Sequence, residues 1–583
     1  MQCFQKRIRP AAVVLTARKE FRNTEAYGSI TCSPLVASSP NPSILAIMRG
    51  AIHALAATAA FGDLASAANR TEWQSRSVYQ VMTDRFARTD GSTTAPCTDL
   101  SVYCNGTWAG LTNKLDYIQG MGFTAVQISP VIQNIENETI VGDAYHGYWS
   151  QDLYKLNDHF GTQEDLQNLI SALHKRGMFI LVDVVVNNMA QAFNNTWPPP
   201  IDYSKMMPFN SPDDYHPYCN VTNWGDPTDY QNCWLYPLGV ALADLKTESP
   251  VVVDGLGTWV SALVANYSID GIRIDAAKHV NDAFLPPFVH AAGVFALGEV
   301  LSGGIDNLCR YQTLGLLEGM PNYLDYYPLI DAFNGGSMMN IAGNRTAVQA
   351  GCNNTLALGT FAENHDVPRF ASYNQDMAIA KNAMTFVLLN DGIPLVYQGQ
   401  EQHFDGSITP ANREAIWTSG YDTNSTLYVL TAKLNKLRNH VISTAPGYVQ
   451  SLSTQLFVDL GHLCLVKGPT GGQIMFCINN KSSKGPSYTM SLGGFAPGDE
   501  VTEVLGCTTT TADGTGNITA YFGKGEPKVY ALSTLVNGTD LCNSTQDAAT
   551  AASQQNHGNG AGALEAVSGL ALAALLGWAV MLL

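Results

Sequence analysis

From residue 77 onward, short apolar runs alternate with stretches in which apolar residues recur at three- and four-residue spacing. The strand-like runs fall at 78–82, 124–128, 179–186, 271–275, 294–300, 359–363 and 393–397, with one more near 320–326. Helical spacing is clearest at 163–176 and 257–267. Strand and helix alternating in this way predict an α/β fold with a parallel (β/α)8 TIM barrel. A doubly wound sheet is the alternative, but it brings strand-end acids round one mouth less readily. The alternation lapses between 187 and 245, where Pro, Asn, Asp and Tyr dominate. A structureless loop of that length is rare in a compact domain, so the segment reads as an insert domain after strand 3. After about residue 446 alternating strands with Gly, Thr and Ser turns run to Cys542, which predicts a C-terminal antiparallel β-sandwich. The barrel is thus expected over 71–186 and 246–445, the insert over 187–245 and the β domain over 446–542.

The ends read differently. Residues 1–47 are polar, basic and aperiodic, and Met48-Arg49-Gly50 then opens an alanine-rich stretch ending Leu64-Ala65-Ser66-Ala67-Ala68. One positive charge, an apolar core and an Ala-x-Ala site read as a secretory signal over 48–67. The first 47 residues then read as a gene-model extension, with translation starting at Met48. Residues 566–583, AVSGLALAALLGWAVMLL, carry no charge and follow the small residues Gly558-Asn559-Gly560-Ala561. Small residues, a spacer and a short apolar tail without flanking bases fit a GPI-attachment signal better than a membrane-spanning tail. Residues 543–562 are expected to form a stalk and attachment region, with Asn559 the first choice for the anchor and Asn556 the second. Residues 563–583 would be removed.

Composition narrows the class. Charged residues are 14% of the 583, and 49 acids against 32 bases give a net charge of −17. Such a surface repels nucleic acid and other polyanions but accepts a neutral polymer such as a glucan. Twelve cysteines fit an oxidising compartment. Cys97 with Cys104, Cys219 with Cys233, Cys309 with Cys352 and Cys507 with Cys542 are candidate pairs, although spacing does not fix connectivity. Cys464 and Cys477 flank a Gly-Pro-Thr-Gly-Gly turn and could face each other across a hairpin, paired or free. Asn-x-Ser/Thr sequons at Asn105, Asn137, Asn194, Asn220, Asn266, Asn344, Asn353, Asn424, Asn480, Asn517, Asn537 and Asn543 also favour the secretory route.

Three of the strand-like segments end in a carboxylate: Gly271-Ile272-Arg273-Ile274-Asp275, Leu297-Gly298-Glu299-Val300 and Phe361-Ala362-Glu363-Asn364-His365-Asp366. Catalytic residues of a (β/α)8 enzyme gather at the C-terminal ends of several strands. A pair of carboxyl groups cleaves a glycosidic bond, one as nucleophile and one as proton donor. Arg273, two residues before Asp275, shares its strand face and can keep that carboxylate ionised.

From about Thr71 to Cys542 the chain resembles fungal α-amylases of glycoside hydrolase family 13. The resemblance rests on DVVVN at 183–187, GIRIDAAKH at 271–279, GEV at 298–300 and FAENHD at 361–366. DRFA at 84–87, GDAYHGYWSQD at 142–152 and YQGQEQH at 397–403 support it. It implies Asp275 as nucleophile, Glu299 as general acid/base with a raised pKa, and Asp366 as the group that holds the distorted sugar. It places His365, Tyr148 and Trp149 with the substrate, has Arg413 organise the site, and puts Lys278 and His279 toward the acceptor. It also implies a monomer whose donor and acceptor are α-1,4-glucan or malto-oligosaccharides.

Two positions depart from that pattern. The family's region-one Asn-His reads Asn187-Asn188 here, so the donor sugar meets a shorter Asn188 that carries no proton; a buried partner left unpaired costs roughly 1–3 kcal/mol. The usual calcium ligand set keeps Asn187 but has Gly225 in place of a glutamate and Lys246 in place of an aspartate. The site is therefore expected to be lost, with Lys246 substituting for the ion and no cofactor required.

A glycosyl-enzyme ester can pass its sugar to water or to another sugar. Asn188, the GPI signal and the polar insert lean toward the sugar. Similar GPI-anchored fungal proteins with this altered region act as 4-α-glucanotransferases in wall α-glucan synthesis. The expectation is therefore a secreted, GPI-anchored 4-α-glucanotransferase at the cell membrane or wall. An α-amylase with weak hydrolysis and an inactive glucan-binding wall protein are the alternatives.

Overall fold

A computed structural model describes residues 69–542, apart from 95, 137–138, 195 and 236–238. The expected leader and its extension, the stalk, Asn559 and the apolar tail lie outside the described residues, as do the sequons at Asn137 and Asn543.

In chain order the strands of the first part are β1 (Val78–Val81), β2 (Ala125–Ile128), β3 (Ile132–Asn134), β4 (Ser150–Leu156), β5 (Phe179–Val185) and β6 (Asn188–Ala192). They continue as β7 (Val240–Asp244), β8 (Gly271–Asp275), β9 (Phe295–Gly298), β10 (Gly359–Thr360) and β11 (Ile393–Tyr397). Seven of them form one parallel sheet in the order β10-β11-β1-β2-β5-β8-β9. Near-continuous burial along β2, β5 and β11 is what a parallel sheet covered on both faces requires. Helices such as Gln163–Lys175, which buries Leu166, Leu169, Ile170 and Leu173, cover the outside.

The eighth position corrects the sequence expectation. The apolar run at 320–326 is not a strand along its length. Residues 319–321 close the barrel by single bridges, Gly319 to Leu297 of β9 and Pro321 to Gly359 of β10. Gly298 N donates to Gly319 O at 2.9 Å, and Gly359 N donates to Met320 O at 2.8 Å. A Cβ on Gly319 would meet the Ala357 carbonyl at 2.6 Å, so the close approach needs glycine. Asn322 then caps a helix, Tyr323–Phe333, by accepting from Asp325 N. Pro321 cannot donate to a ladder, and the Asn cap turns the chain into a helix at once. The run at 359–363 is likewise shorter in the structure: β10 ends at Thr360, and Glu363 instead accepts from Arg369 Nη1 (2.9 Å) and Phe370 N (2.7 Å).

Two excursions rise from the barrel. β3 and β4 pair antiparallel after β2, and β6 and β7 pair antiparallel after β5 with Asn188 opposite Asp244. Beyond the barrel come β12 (Thr454–Val458), β13 (His462–Lys467), β14 (Ile474–Asn479) and β15 (Tyr488–Leu492). β16 (Glu500–Glu503), β17 (Thr508–Thr511), β18 (Ile518–Phe522) and β19 (Lys528–Leu532) complete them. They make a six-stranded sheet, β12-β13-β14-β19-β16-β17, and a two-stranded one, β15-β18. One face of the larger sheet sends Leu463, Leu465, Phe476 and Ile478 into the main core. The other packs Cys464, Met475 and Tyr530 against Leu492, Ile518, Ala520 and Phe522 of the smaller sheet. Disulfides join Cys97–Cys104, Cys219–Cys233, Cys309–Cys352 and Cys507–Cys542. Cys464 and Cys477, left open by the sequence, sit directly opposite on β13 and β14 and are bonded.

Candidate active site

Strand parity builds the site. Arg273 and Asp275 point the same way from β8, and Arg273 lies in register with Asp183 on β5. Arg273 is 4% exposed and is the hub. Its Nη1 donates to both Asp183 oxygens at 3.0 Å and to Asp275 Oδ1 at 2.6 Å. Its Nη2 lies 2.9 Å from Glu299 Oε2 and 4.0 Å from Asp366 Oδ2. Asp275 and Glu299 are therefore held by one planar fork. Ala276, immediately after Asp275, adopts a left-handed φ of 48° and donates its N–H to Glu299 Oε2 at 2.9 Å. A non-glycine residue in that region stores strain and ties the turn after β8 to the second acid. Glu299 Oε1 is buried without a partner.

Asp366 closes the group. Its N–H donates to Asn364 Oδ1 at 2.8 Å, and its carboxylate lies 3.4 Å from Arg413 Nη2 and 3.3 Å from His365 Nε2. Arg413 also donates from Nε to His365 O (3.0 Å) and from Nη1 to Tyr145 Oη (3.2 Å). Tyr148 donates from its hydroxyl to Asp183 at 2.7 Å, and its ring stacks on His365 with an interplanar angle of 6°.

Burial sets the protonation states. It pushes Asp275 well above the carboxylate range, against Arg273, with Glu299, Asp183 and Asp366 adding to the rise. It raises Asp183 to about 6 while Arg273 and Tyr148 hold it down. The two raised acids, Asp183 and Asp275, share one guanidinium, so this side of the cluster takes up a proton more readily than free carboxylates do, while Arg273 favours the ionised Asp275 that attack requires. Burial, with Arg413 and Arg273, holds His365 well below the usual imidazole value.

Other expected residues separate into two groups. Lys278 donates its backbone N–H to Glu299 O at 3.1 Å and holds Nζ 4.9 Å from the Tyr230 ring centroid. His279 bonds Tyr230 O through Nδ1 at 3.0 Å, and burial lowers it to about 4. Both belong to the segment that follows Asp275. Asn188 is 3% exposed, with Nδ2 unpartnered. Trp149, expected with the substrate, packs among Ile135, Ala144, Ala190 and Val240. Asp183, Gln80, Asn364 and Tyr145 join the cluster without having been singled out by the sequence. Asp183 was legible only as the inward-facing acid of DVVVN, at even spacing from Asn187.

The residues about Asn187 correct one part of the calcium expectation, the role given to Lys246. Gly225 is on an exposed turn, donating its N–H to Asn223 Oδ1 at 3.1 Å. Lys246 Nζ donates to Asp213 O at 3.1 Å, so it does not stand in for an ion at Asn187. The neighbouring carboxylate is Asp244, whose Oδ2 takes His216 Nδ1 at 2.6 Å. His216 Nε2 in turn lies 3.0 Å from Glu248 Oε1. The buried Asn187 side chain acts on the Asp244 carboxylate as a hydrogen-bond donor. Calcium takes roughly 6–8 oxygens, several of them carboxylate. Among the described residues no three His, Cys, Asp or Glu side chains converge on a metal position. One amide and one carboxylate fall short of that set.

The comparisons agree with this geometry. The family model "Alpha amylase, catalytic domain" matches residues 80–289 and 287–439, and "Alpha-amylase, domain C" matches 455–550. The chain belongs to the alpha-amylase family, glycoside hydrolase family 13. This amylase-family chain is 43% identical over 474 residues to Alpha-amylase 2 of Schwanniomyces occidentalis, covering 81% of itself and 92% of that protein. It resembles the solved alpha-amylase of Malbranchea cinnamomea with a TM-score of 0.78 and 45% identity, covering 81% of this chain and 99% of that one. A cyclomaltodextrin glucanotransferase with a three-domain ABC arrangement matches with a TM-score of 0.68 and 25% identity, over 78% of this chain and 99% of that one. The protein is an enzyme of this family, with activity on α-1,4-glucan.

Proposed function

We propose that the enzyme cleaves α-1,4-glucan with retention through Asp275, Glu299 and Asp366, and that hydrolysis is its main outcome. The observation that carries this is the shared guanidinium: Asp275 at 2.6 Å and Glu299 at 2.9 Å from one Arg273 side chain. Retaining glycosidases use two carboxyl groups set close together, without room for a water between them. Asp275 attacks the anomeric carbon while Glu299 gives its proton to the departing glycosidic oxygen. Asp275 is then esterified and Glu299 ionised. Glu299 next takes a proton from water, whose oxygen displaces Asp275 and restores both acids. Asp366, His365 and Arg413 hold the sugar through its ring hydroxyls, and Lys278 and His279 take the acceptor side that the family resemblance gives them, a role supported by the Lys278 backbone bond to Glu299 O. Named relatives that are α-amylases support water as acceptor.

Transfer is the second reading, favoured by one observation. Asn188, at the start of β6, presents a buried, unpartnered amide at the position where the family resemblance puts an imidazole on the donor sugar, so that sugar would be held differently. The similar fold of a cyclomaltodextrin glucanotransferase with a three-domain ABC arrangement supports this reading. The membrane or wall attachment proposed from the C-terminal sequence would place the enzyme beside nascent glucan.

Products from maltopentaose decide. Only shorter oligomers support hydrolysis, longer ones support transfer, and no change supports a glucan-binding protein without activity. Asp275→Asn is expected to lower turnover roughly 10⁴-fold or more; retained turnover sinks the assignment. We further propose that no calcium is required. EDTA should leave rate and melting temperature unchanged, and a loss restored by calcium counts against it.

A further inference from the structure

We propose that Gln80 is a positioning residue: its side-chain amide donates to His365 Nδ1 and locks the imidazole as the neutral Nε2–H tautomer facing Asp366. The proposal rests on the reading above that His365 and Asp366 hold the sugar.

Gln80 sits on β1, where its neighbours Tyr79 and Val81 are buried and apolar, and its register partner on β2 is Gln127. Gln80, Gln127, Tyr148, Asp183, His365 and Tyr397 line one cavity. The Gln80 amide nitrogen lies 2.9 Å from His365 Nδ1. As the amide stands, its nitrogen faces the ring, and an amide nitrogen only donates, so Nδ1 is the acceptor. The opposite ring nitrogen agrees with that direction: Nε2 is 3.3 Å from Asp366 Oδ2, an ion-pair distance at which a bare ring nitrogen would set its lone pair against a carboxyl oxygen. Nε2 is therefore assigned the hydrogen.

Nδ1 of a neutral ring is then bare and needs a donor. The surroundings keep the ring neutral: Arg273 and Arg413 lie near it, His146 is close, Tyr148 stacks on one face, and Tyr397 tilts against it at 6.5 Å. Burial acts in the same direction. Of the groups around the ring, the Gln80 amide is the one with a hydrogen in bonding distance of Nδ1. A leucine there would leave Nδ1 unpaired, and a glutamate would draw a second proton onto the ring.

The consequence concerns polarity. A sugar hydroxyl between His365 and Asp366 meets one N–H donor and one carboxylate acceptor, which matches its own donor and acceptor. With the tautomer reversed, two acceptors would face one hydroxyl hydrogen.

Ring ¹⁵N shifts of the full-length secreted protein, labelled at histidine and assigned against His365→Gln, read the tautomer directly between pH 5 and 8. The wild type should show Nε2–H with bare Nδ1. Gln80→Met should mix the two tautomers and lower kcat on maltopentaose roughly tenfold, with KM changed less. Gln80→Glu should protonate both nitrogens and add an ionisation near neutrality to the kcat/KM profile that Gln80→Met lacks. A wild-type Nδ1–H tautomer or imidazolium overturns the proposal, and so does an unaltered tautomer in Gln80→Met. The wild-type spectrum decides even where a variant does not fold. If Asp275→Asn kept its turnover, the catalytic reading would fail while the tautomer result stood.

Discussion

At the scale of residues, the site is an arrangement of charge around Arg273. Alternation along β8 made Arg273 and Asp275 legible together, because side chains two apart share a strand face. Asp183 needed the register between β5 and β8, which no local pattern supplies. Trp149 also packs in a small apolar cluster with Ile135, Ala144, Ala190 and Val240, which adjacency to Tyr148 does not announce. Lys246 was misplaced because the pairing of β6 with β7 brings Asp244, not residue 246, opposite Asn188. Asn188 invites its own test. Asn188→His puts a ring where an unpartnered amide now stands, and should shift product ratios from maltopentaose toward hydrolysis if Asn188 favours transfer. An unchanged ratio removes it as a cause.

At the scale of elements, joints decide more than propensities. The eighth barrel position is a bridge of three residues because Pro321 ends the ladder and Asn322 starts a helix, so an apolar run that reads as strand is mostly helical. The barrel and β domain are joined by a buried charge network that no sequence pattern announces. Asp391, 2% exposed, lies 3.3 Å from Lys467 Nζ of β13 and 3.5 Å from Arg345 Nη2, and accepts from Ser453 N at 2.8 Å. Burial raises the Asp391 carboxyl, but Lys467 and Arg345 more than offset it, leaving it below its usual value. Removing one member strands the others. Asp391→Ala should therefore cost about 3–5 kcal/mol in urea unfolding. A loss under 1 kcal/mol would mean that water reaches the joint.

At the scale of the whole molecule, buried acids set the response to pH. Burial pushes Asp84, Asp244 and Glu363 each to about 7, against their ion-pair or hydrogen-bond partners. In the unfolded chain such groups titrate near pH 4. Between these values the folded state binds more protons, so stability falls as pH rises through about 7. Buried His146 and His365, held low, oppose this only where unfolded histidine gains protons, below about 6.5. The melting temperature should thus rise as pH is lowered from 8 to 6.5, and a fall over that range would contradict the assigned burial. The alternation of strands and helices, Asp275 and Glu299 at the ends of β8 and β9, and the C-terminal β domain were legible in the sequence alone, because periodicity and parity are local and repeat within a few residues; Asp366 lies beyond a strand that ends at Thr360. The disulfide across β13 and β14, the closure at 319–321, the position of Asp244 and the contact of Gln80 with His365 were decided by tertiary structure. Each depends on register or packing between segments far apart in the chain, where one residue of slip changes every neighbour.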